Sequence, residues 1–181
     1  MKKYLFEVPL VLLLCFSFAC QDRAAMAELE KYKAQAKIEE QNEALVRTVF
    51  DGLNQRKEAV YQEIYAPEYG WRFPSNNSKA MTREEEAGFV KLLWAGFPDI
   101  HWDIVEMVSR GDRVIARYVA RGTHKGEYQG LLPTGNTFEG GGIWMGRIKD
   151  GKIVDAREDF DVLGWMQQLG MELKPIQAKK K

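Results

Sequence analysis

Arg117-Tyr118-Val119-Ala120-Arg121-Gly122-Thr123-His124-Lys125-Gly126-Glu127 is followed by Leu132-Pro133-Thr134-Gly135 and then by Ile148-Lys149-Asp150-Gly151-Lys152-Ile153-Val154. Alternating apolar residues lead into a turn, a further strand and a tight hairpin. Asp-Gly is a strong hairpin signal because both residues tolerate the left-handed backbone that a two-residue turn demands. Outward from this stretch, strands are predicted over His101 to Val108, Arg113 to Thr123, Phe138 to Ile148 and Lys152 to Phe160, separated by Gly111-Asp112, Pro133-Thr134-Gly135-Asn136 and Asp150-Gly151. Gly140-Gly141-Gly142 lies inside one of these strands. It lacks the Lys and the helix that follow a phosphate-binding loop, so it reads as a bulge or sharp bend in a curved sheet.

Helices precede the strands. Leu45, Val46, Val49, Phe50 and Leu53 recur at helical spacing and give a first helix one apolar face. Ala59, Val60 and Ile64 carry a shorter second helix that Ala66-Pro67 should end, because a residue before proline resists the α region. Tyr69 to Pro74 reads as a short strand and Ser75 to Ser78 as a polar loop. Thr82 and Glu85 form a capping box at the start of a third helix, whose buried face is Phe89, Val90, Leu93, Trp94 and Phe97 and which Pro98 stops. A last helix begins near Asp161 with Val162, Trp165, Met166 and Leu169 on one face.

The joined pattern Phe97-Pro98-Asp99, Gly122-Thr123-His124, Leu132-Pro133-Thr134-Gly135 and Asp150-Gly151-Lys152-Ile153-Val154 resembles the SnoaL-like polyketide cyclases, or ester cyclases, of the nuclear-transport-factor-2-like superfamily. The resemblance covers about Asn42 to Gly170. It implies an α+β cone in which N-terminal helices pack on a curved antiparallel sheet and enclose one apolar pocket. It also implies a homodimer paired through the outer sheet face, and acid/base chemistry without a cofactor. The family cyclases use an Asp to remove a proton beside a carbonyl and to protonate the resulting oxygen. By the spacing of the last hairpin, that Asp corresponds to Glu158 here, and a family His corresponds to Trp144.

The residues point the same way. Period-two alternation in the last strand sets Ile153, Asp155, Arg157, Asp159 and Asp161 against Val154, Ala156, Glu158 and Phe160, so Glu158 is the charge on an apolar side. Trp144, Gly146 and Ile148 present a matching face across the hairpin. A carboxylate against apolar walls is pushed towards its neutral form, which suits a group that takes and returns a proton near neutral pH. Two readings of Glu158 are compatible with the sequence: a catalytic base inside the pocket, or a structural acid that pairs with Arg117 or Arg121 or lies near a rim where water solvates it. His124 shares a strand face with Val114, Ala116, Tyr118 and Ala120. It is a candidate proton shuttle opposite Glu158, or a strand-end His bonded to loop backbone near Gly126. Trp71, Trp94, Trp102, Tyr118, Trp144 and Phe160 are the candidate ligand-binding residues, with Phe73 beside them. His101 and His124 lack paired spacing, so no metal site is expected, and no Gly-x-Ser-x-Gly elbow occurs.

A chain of 181 residues with formal net charge +0 suits one domain and gives no electrostatic case for nucleic acid. Lys2-Lys3 and the short apolar run Val8 to Phe16 read as an export signal over residues 1–19. Ser17-Phe18-Ala19-Cys20 resembles a bacterial lipobox, which makes Cys20 the candidate lipidated residue. Gln21 in place of Asp would permit sorting to an outer membrane. Loss of Cys15 with the signal leaves no second thiol for a disulfide. Residues 20–41, rich in Ala, Glu, Lys and Gln, form a charged tether with the propensity for a solvated helix; residues 42–171 are the domain and 172–181 a basic tail. Two functions follow: a cyclase or isomerase on a small apolar carbonyl compound, or a non-catalytic, membrane-anchored module that binds an apolar ligand or a protein.

Overall fold

The computed structural model describes residues 7–73, 79–172 and 174, with side chains from residue 23 onward. The basic residues of the export signal, the side chain of Cys20, the 75–78 loop and nearly all of the C-terminal tail lie outside the described residues. Two compact units divide the chain, Met1–Ile38 and Glu39–Lys181. In the first, helix α1 (Glu7–Asn54) exposes every residue from Arg23 to Ile38. Its support there is local, from good helix formers and from pairs such as Lys33–Glu30 at 2.9 Å.

The second unit begins with the rest of α1. There Val46, Val49 and Phe50 turn inward and are almost fully buried. Polar clamps fix this segment to the sheet. Asn54 exchanges two 2.9 Å hydrogen bonds with the backbone of Trp102, and Asn42 donates to the Gly111 carbonyl at 2.9 Å. Asn54 thereby serves as a short strand mimic along an otherwise open edge. Helix α2 (Val60–Glu63), strand β1 (Tyr65–Arg72) and helix α3 (Arg83–Gly96) follow. The capping box forms as expected, with the Thr82 hydroxyl accepting from the Glu85 amide and the Glu85 carboxylate accepting from the Thr82 amide. Strands β2 (His101–Arg110), β3 (Arg113–Thr123), β4 (Thr137–Lys149) and β5 (Lys152–Phe160) lead to helix α4 (Val162–Gln168), capped by Asp161.

The five strands lie in the order β1-β5-β4-β3-β2. The sheet is mixed, because β1 runs parallel to β5 while every other pair is antiparallel. Ala66-Pro67 therefore does not end a helix. It lies within β1, an edge strand, where a register shift between Tyr65 and Gly70 accommodates a residue that cannot donate to the ladder. A second shift, between Arg147 and Ile148, pairs Ile148 with Ile153 and turns Ile153 into the core beside Ala156, instead of onto the outer row.

The β3–β4 ladder runs unbroken from Arg113↔Arg147 to Thr123↔Thr137, so Gly140-Gly141-Gly142 makes no bulge in it. Glycine has a different use at these positions. A Cβ at Gly142 would overlap the Tyr118 ring and one at Gly146 would overlap the Trp144 ring, whereas one at Gly140 would meet open space. Gly142→Ala is accordingly expected to destabilise the protein by about 1–3 kcal/mol, the usual range for overpacking. Gly140→Ala should stay within about 0.5 kcal/mol of the parent in urea unfolding if its methyl only fills the hollow.

Candidate active site

Helices α1 and α3, with α4 at one end, close the inner face of the sheet around a hollow of about 70 Å³, room for a few water molecules. Rings dominate its wall: Phe50, Tyr65 and Phe89, with Trp71, Trp102, Tyr118, Trp144, Phe160 and Trp165. Three acidic residues border the same space: Glu158, Glu86 and, at the end where it caps α4, the exposed Asp161.

Trp144 and Glu158 share the wall of the hollow, as the matching faces of the hairpin implied, and the shift between Arg147 and Ile148 makes them direct cross-strand partners on β4 and β5. The Tyr118 hydroxyl, coming from β3, donates to Glu158 Oε1. Burial pushes the Glu158 carboxyl up to about 7, while the Tyr118 hydroxyl and the Trp71 indole partly offset the rise and Asp159 adds to it. Tyr118 is itself held well above the usual phenol range, first by burial and then by Glu158, so it acts as a hydrogen-bond donor and not as an acid. Glu158 pairs with neither arginine: Arg117 pairs with Glu106, and Arg121 with Asp103 and Glu139. Glu158 is half-buried and lines the hollow.

Glu86 is the residue that the sequence reading missed. It is 5% exposed, and burial pushes its carboxyl up to about 8, with the Tyr69 hydroxyl pulling it back and the charge of Glu158 adding a further rise. In the sequence it hides in the run Glu84-Glu85-Glu86, which looks like the ordinary acidic first turn of a helix. Its spacing to Phe89, Val90 and Leu93 is the signal that placed it on the buried face.

His124 does not face Glu158. It is fully buried outside the hollow, stacked on Phe97 with centroids 5.1 Å apart, and its Nδ1 accepts from the Thr134 amide at 3.2 Å. It belongs to a knot of backbone bonds: His124 amide to the Asn136 carbonyl, Gly135 amide to the His124 carbonyl, and the amides of Lys125 and Gly126 to the Gly96 carbonyl, each at 2.9 Å. Asp99 closes the knot by accepting from the Thr123 amide and hydroxyl, both at 2.7 Å. A side chain at Gly126 would run into the Ala95 carbonyl, so glycine is required there. Trp94 also lies off the hollow, with the Arg56 guanidinium 5.6 Å from its ring centroid. Phe73 sits behind the lining, its ring 5.0 Å from that of Phe160.

The model of the SnoaL-like polyketide cyclases matches residues 43–169. The chain belongs to that family. Among its relatives, aklanonic acid methyl ester cyclase AcmA of Streptomyces galilaeus is 31% identical over 130 residues, covering 70% of this chain and 89% of AcmA. Aklanonic acid methyl ester cyclase DnrD of Streptomyces peucetius is 38% identical over 79 residues, 44% of this chain and only about half (54%) of DnrD. In solved structures, IdmH of Streptomyces antibioticus superposes with a TM-score of 0.66 at 29% identity, covering 72% of this chain and 99% of IdmH. A SnoaL-like protein of Jannaschia sp. CCS1 superposes at 0.68 with 24% identity, covering 75% and 96%. The SnoaL-like architecture is thus present in full, as an α+β fold with an open five-stranded sheet. Of the four segments that carry the resemblance, Phe97-Pro98-Asp99, Gly122-Thr123-His124 and Leu132-Pro133-Thr134-Gly135 meet at the His124 knot, while Asp150-Gly151-Lys152-Ile153-Val154 forms the β4–β5 turn.

Both carboxyls hold protons more tightly when folded, near 8 and 7 against 4.5 for an unperturbed Glu. Their contribution to stability is therefore complete below about pH 4.5 and is lost as pH rises through 7 to 8. Glu86→Gln should raise Tm at pH 8.5 by roughly 5 °C or more and change it much less at pH 4.5, as read by differential scanning calorimetry.

Proposed function

We propose that the chain is a cofactor-free acid/base cyclase or isomerase for a small apolar carbonyl compound, with Glu158 as base. The observation that carries this reading is the Glu158 carboxyl inside an aromatic hollow, raised to about 7 and held by the Tyr118 hydroxyl. A group with that affinity for protons is balanced to take one and return it at neutral pH. The carboxylate removes a proton beside a carbonyl: the C–H bond breaks, an O–H bond forms on Glu158, and the electron pair moves into an enolate. Attack of the enolate carbon on a second carbonyl of the same molecule closes a ring, and the proton on Glu158 passes to the new alkoxide. Reprotonation at another carbon would instead give an isomer. Atoms and charge balance without a redox partner. The aklanonic acid methyl ester cyclases among the relatives support the ring-closing form of the reaction.

Ethyl acetoacetate in D₂O tests the base. The parent protein should catalyse α-proton exchange above the buffer background, and Glu158→Gln should lower the catalysed rate by about 100-fold or more. Ligand binding without exchange in the parent would overturn the enzyme reading in favour of a non-catalytic module, with Trp144 filling the place of the family's His.

The reading includes export and anchoring through lipidated Cys20, supported by the lipobox-like Ser17-Phe18-Ala19-Cys20 and by the fully exposed helix from Arg23 to Ile38, which suits a spacer. Intact mass of the membrane-extracted protein should show acyl chains on Cys20 as the first residue, and Cys20→Ala should release the domain from the membrane fraction; an unmodified Cys20 contradicts the anchor. It includes also a homodimer through the outer sheet face, where Val108, Ile115 and Ile143 are exposed.

A further inference from the structure

Glu86 sits one residue past the capping box that starts α3. Its neighbours Glu84 and Glu85 are exposed, while Glu86 turns inward with Val90 and Leu93. It therefore borders the hollow from the helix side, while Glu158 borders it from the sheet. Buried tyrosines surround it: Tyr61 from α2, Tyr65 and Tyr69 from β1. The titratable groups that face it are these three phenols and Glu158, with Tyr118 reached through Glu158. Among the described residues no Lys or Arg forms an ion pair with either carboxyl. Glu86 Oε2 is buried without a hydrogen-bond partner among the described residues. A carboxyl with no cation partner is an expensive way to fill a core position, and a Gln or Leu would serve packing better. What the position offers is a carboxyl on the helix side of a hollow whose sheet side carries a base.

We propose that Glu86 is a second acid/base group of this site, a neutral carboxylic acid that donates to the oxygen of the ligand whose carbon faces Glu158. The catalytic half of this inference rests on the function proposed above; the ligand-binding half does not. With Glu86 protonated, proton removal by Glu158 is matched by donation at the carbonyl oxygen. The Glu86 O–H bond breaks as the enol O–H forms, so the intermediate is a neutral enol and not an enolate in a low-dielectric space. The enol oxygen returns that proton to Glu86 as the carbonyl re-forms. Glu158 passes the proton it took to the new alkoxide, or to another carbon in an isomerisation, so the two carboxyls finish as they began. The division of labour follows from their surroundings: Glu86, the more deeply enclosed, stays protonated where Glu158 has begun to ionise. The ligand class narrows to planar enolisable carbonyl compounds small enough for the hollow.

4′-Fluoroacetophenone, followed by ¹⁹F NMR, tests this without requiring turnover. Its carbonyl oxygen only accepts hydrogen bonds, so the probe can use the Glu86 acid but not the carboxylate, and it carries no group that ionises between pH 7 and 9. In the Glu158→Gln background, where Glu86 alone of the pair titrates, affinity should fall about tenfold from pH 7 to 9 as Glu86 ionises. In the Glu86→Gln, Glu158→Gln double variant it should stay level, because the amide keeps a donor that does not titrate. Glu86→Leu should weaken binding about tenfold at pH 7. An alkaline loss that persists in the double variant, unchanged affinity in Glu86→Leu, or no binding of the ketone to the parent protein overturns the proposal. Glu86-dependent binding in a protein that exchanges no α-protons sinks Glu158 as base and leaves the donor in place. Exchange that needs Glu158 and ignores Glu86 does the reverse.

Discussion

A carboxyl group enclosed by aromatic rings must be neutral, hydrogen-bonded or in reach of a ligand, because an isolated charge in such surroundings is too costly to keep. Around Glu158 all the neighbouring elements answer that requirement. Strand β3 supplies the Tyr118 hydroxyl, β1 brings the Trp71 indole, and β4 sets Trp144 directly across the ladder. Gly142 and Gly146 give up their side chains so that the Tyr118 and Trp144 rings can lie close against β4. The sheet is thus shaped less by a backbone irregularity at its glycines than by the room that two rings need.

Two parts of the domain divide the work. One corner is a rigid knot, where Asp99, Thr123, His124, Gly126 and Asn136 tie the end of α3 to the β3–β4 connection through backbone bonds. It holds α3 in place, and α3 carries Glu86. The other part is the hollow, whose polar content is small and specific. The parts differ in what they tolerate: the knot is built on main-chain geometry and needs its glycine, whereas the hollow depends on which side chain stands at Trp144 and Glu158. A family recognised through the knot can therefore change chemistry in the hollow without losing its signature.

Much of the fold was legible. The bounds of β3 and β5 followed from alternation and turn residues, and the α3 capping box from Thr82 and Glu85 alone. That Trp144 and Glu158 share a wall followed from the alternation of the last hairpin, but their direct pairing did not: counting back from Asp150-Gly151 sets Trp144 opposite Arg157, and only the shift between Arg147 and Ile148 brings Glu158 across from it. What stayed hidden depended on long-range pairing. Nothing local announces that β1 joins β5 in parallel, that Pro67 lies on an edge where its missing donor is harmless, or that a register shift turns Ile153 inward. Glu86 was hidden differently, because an acidic helix start is so common that a third Glu in a row looks like more of the same. Trp94 and Phe89 share a helix and a chemical character, but only tertiary packing decides that Phe89 lines the hollow and Trp94 lies under Arg56.

The account stands on two carboxyls that hold their protons at neutral pH. Carbon-detected NMR of protein labelled with ¹³C at the Glu carboxyl, titrated from pH 4 to 9, observes them directly. Two resonances should titrate near 7 and 8, the first absent from Glu158→Gln and the second from Glu86→Gln, while the exposed Glu residues titrate far lower. If every carboxyl has ionised by about pH 5.5, in the range of ordinary exposed Glu, the hollow does not perturb its acids and the chemistry assigned to them is wrong.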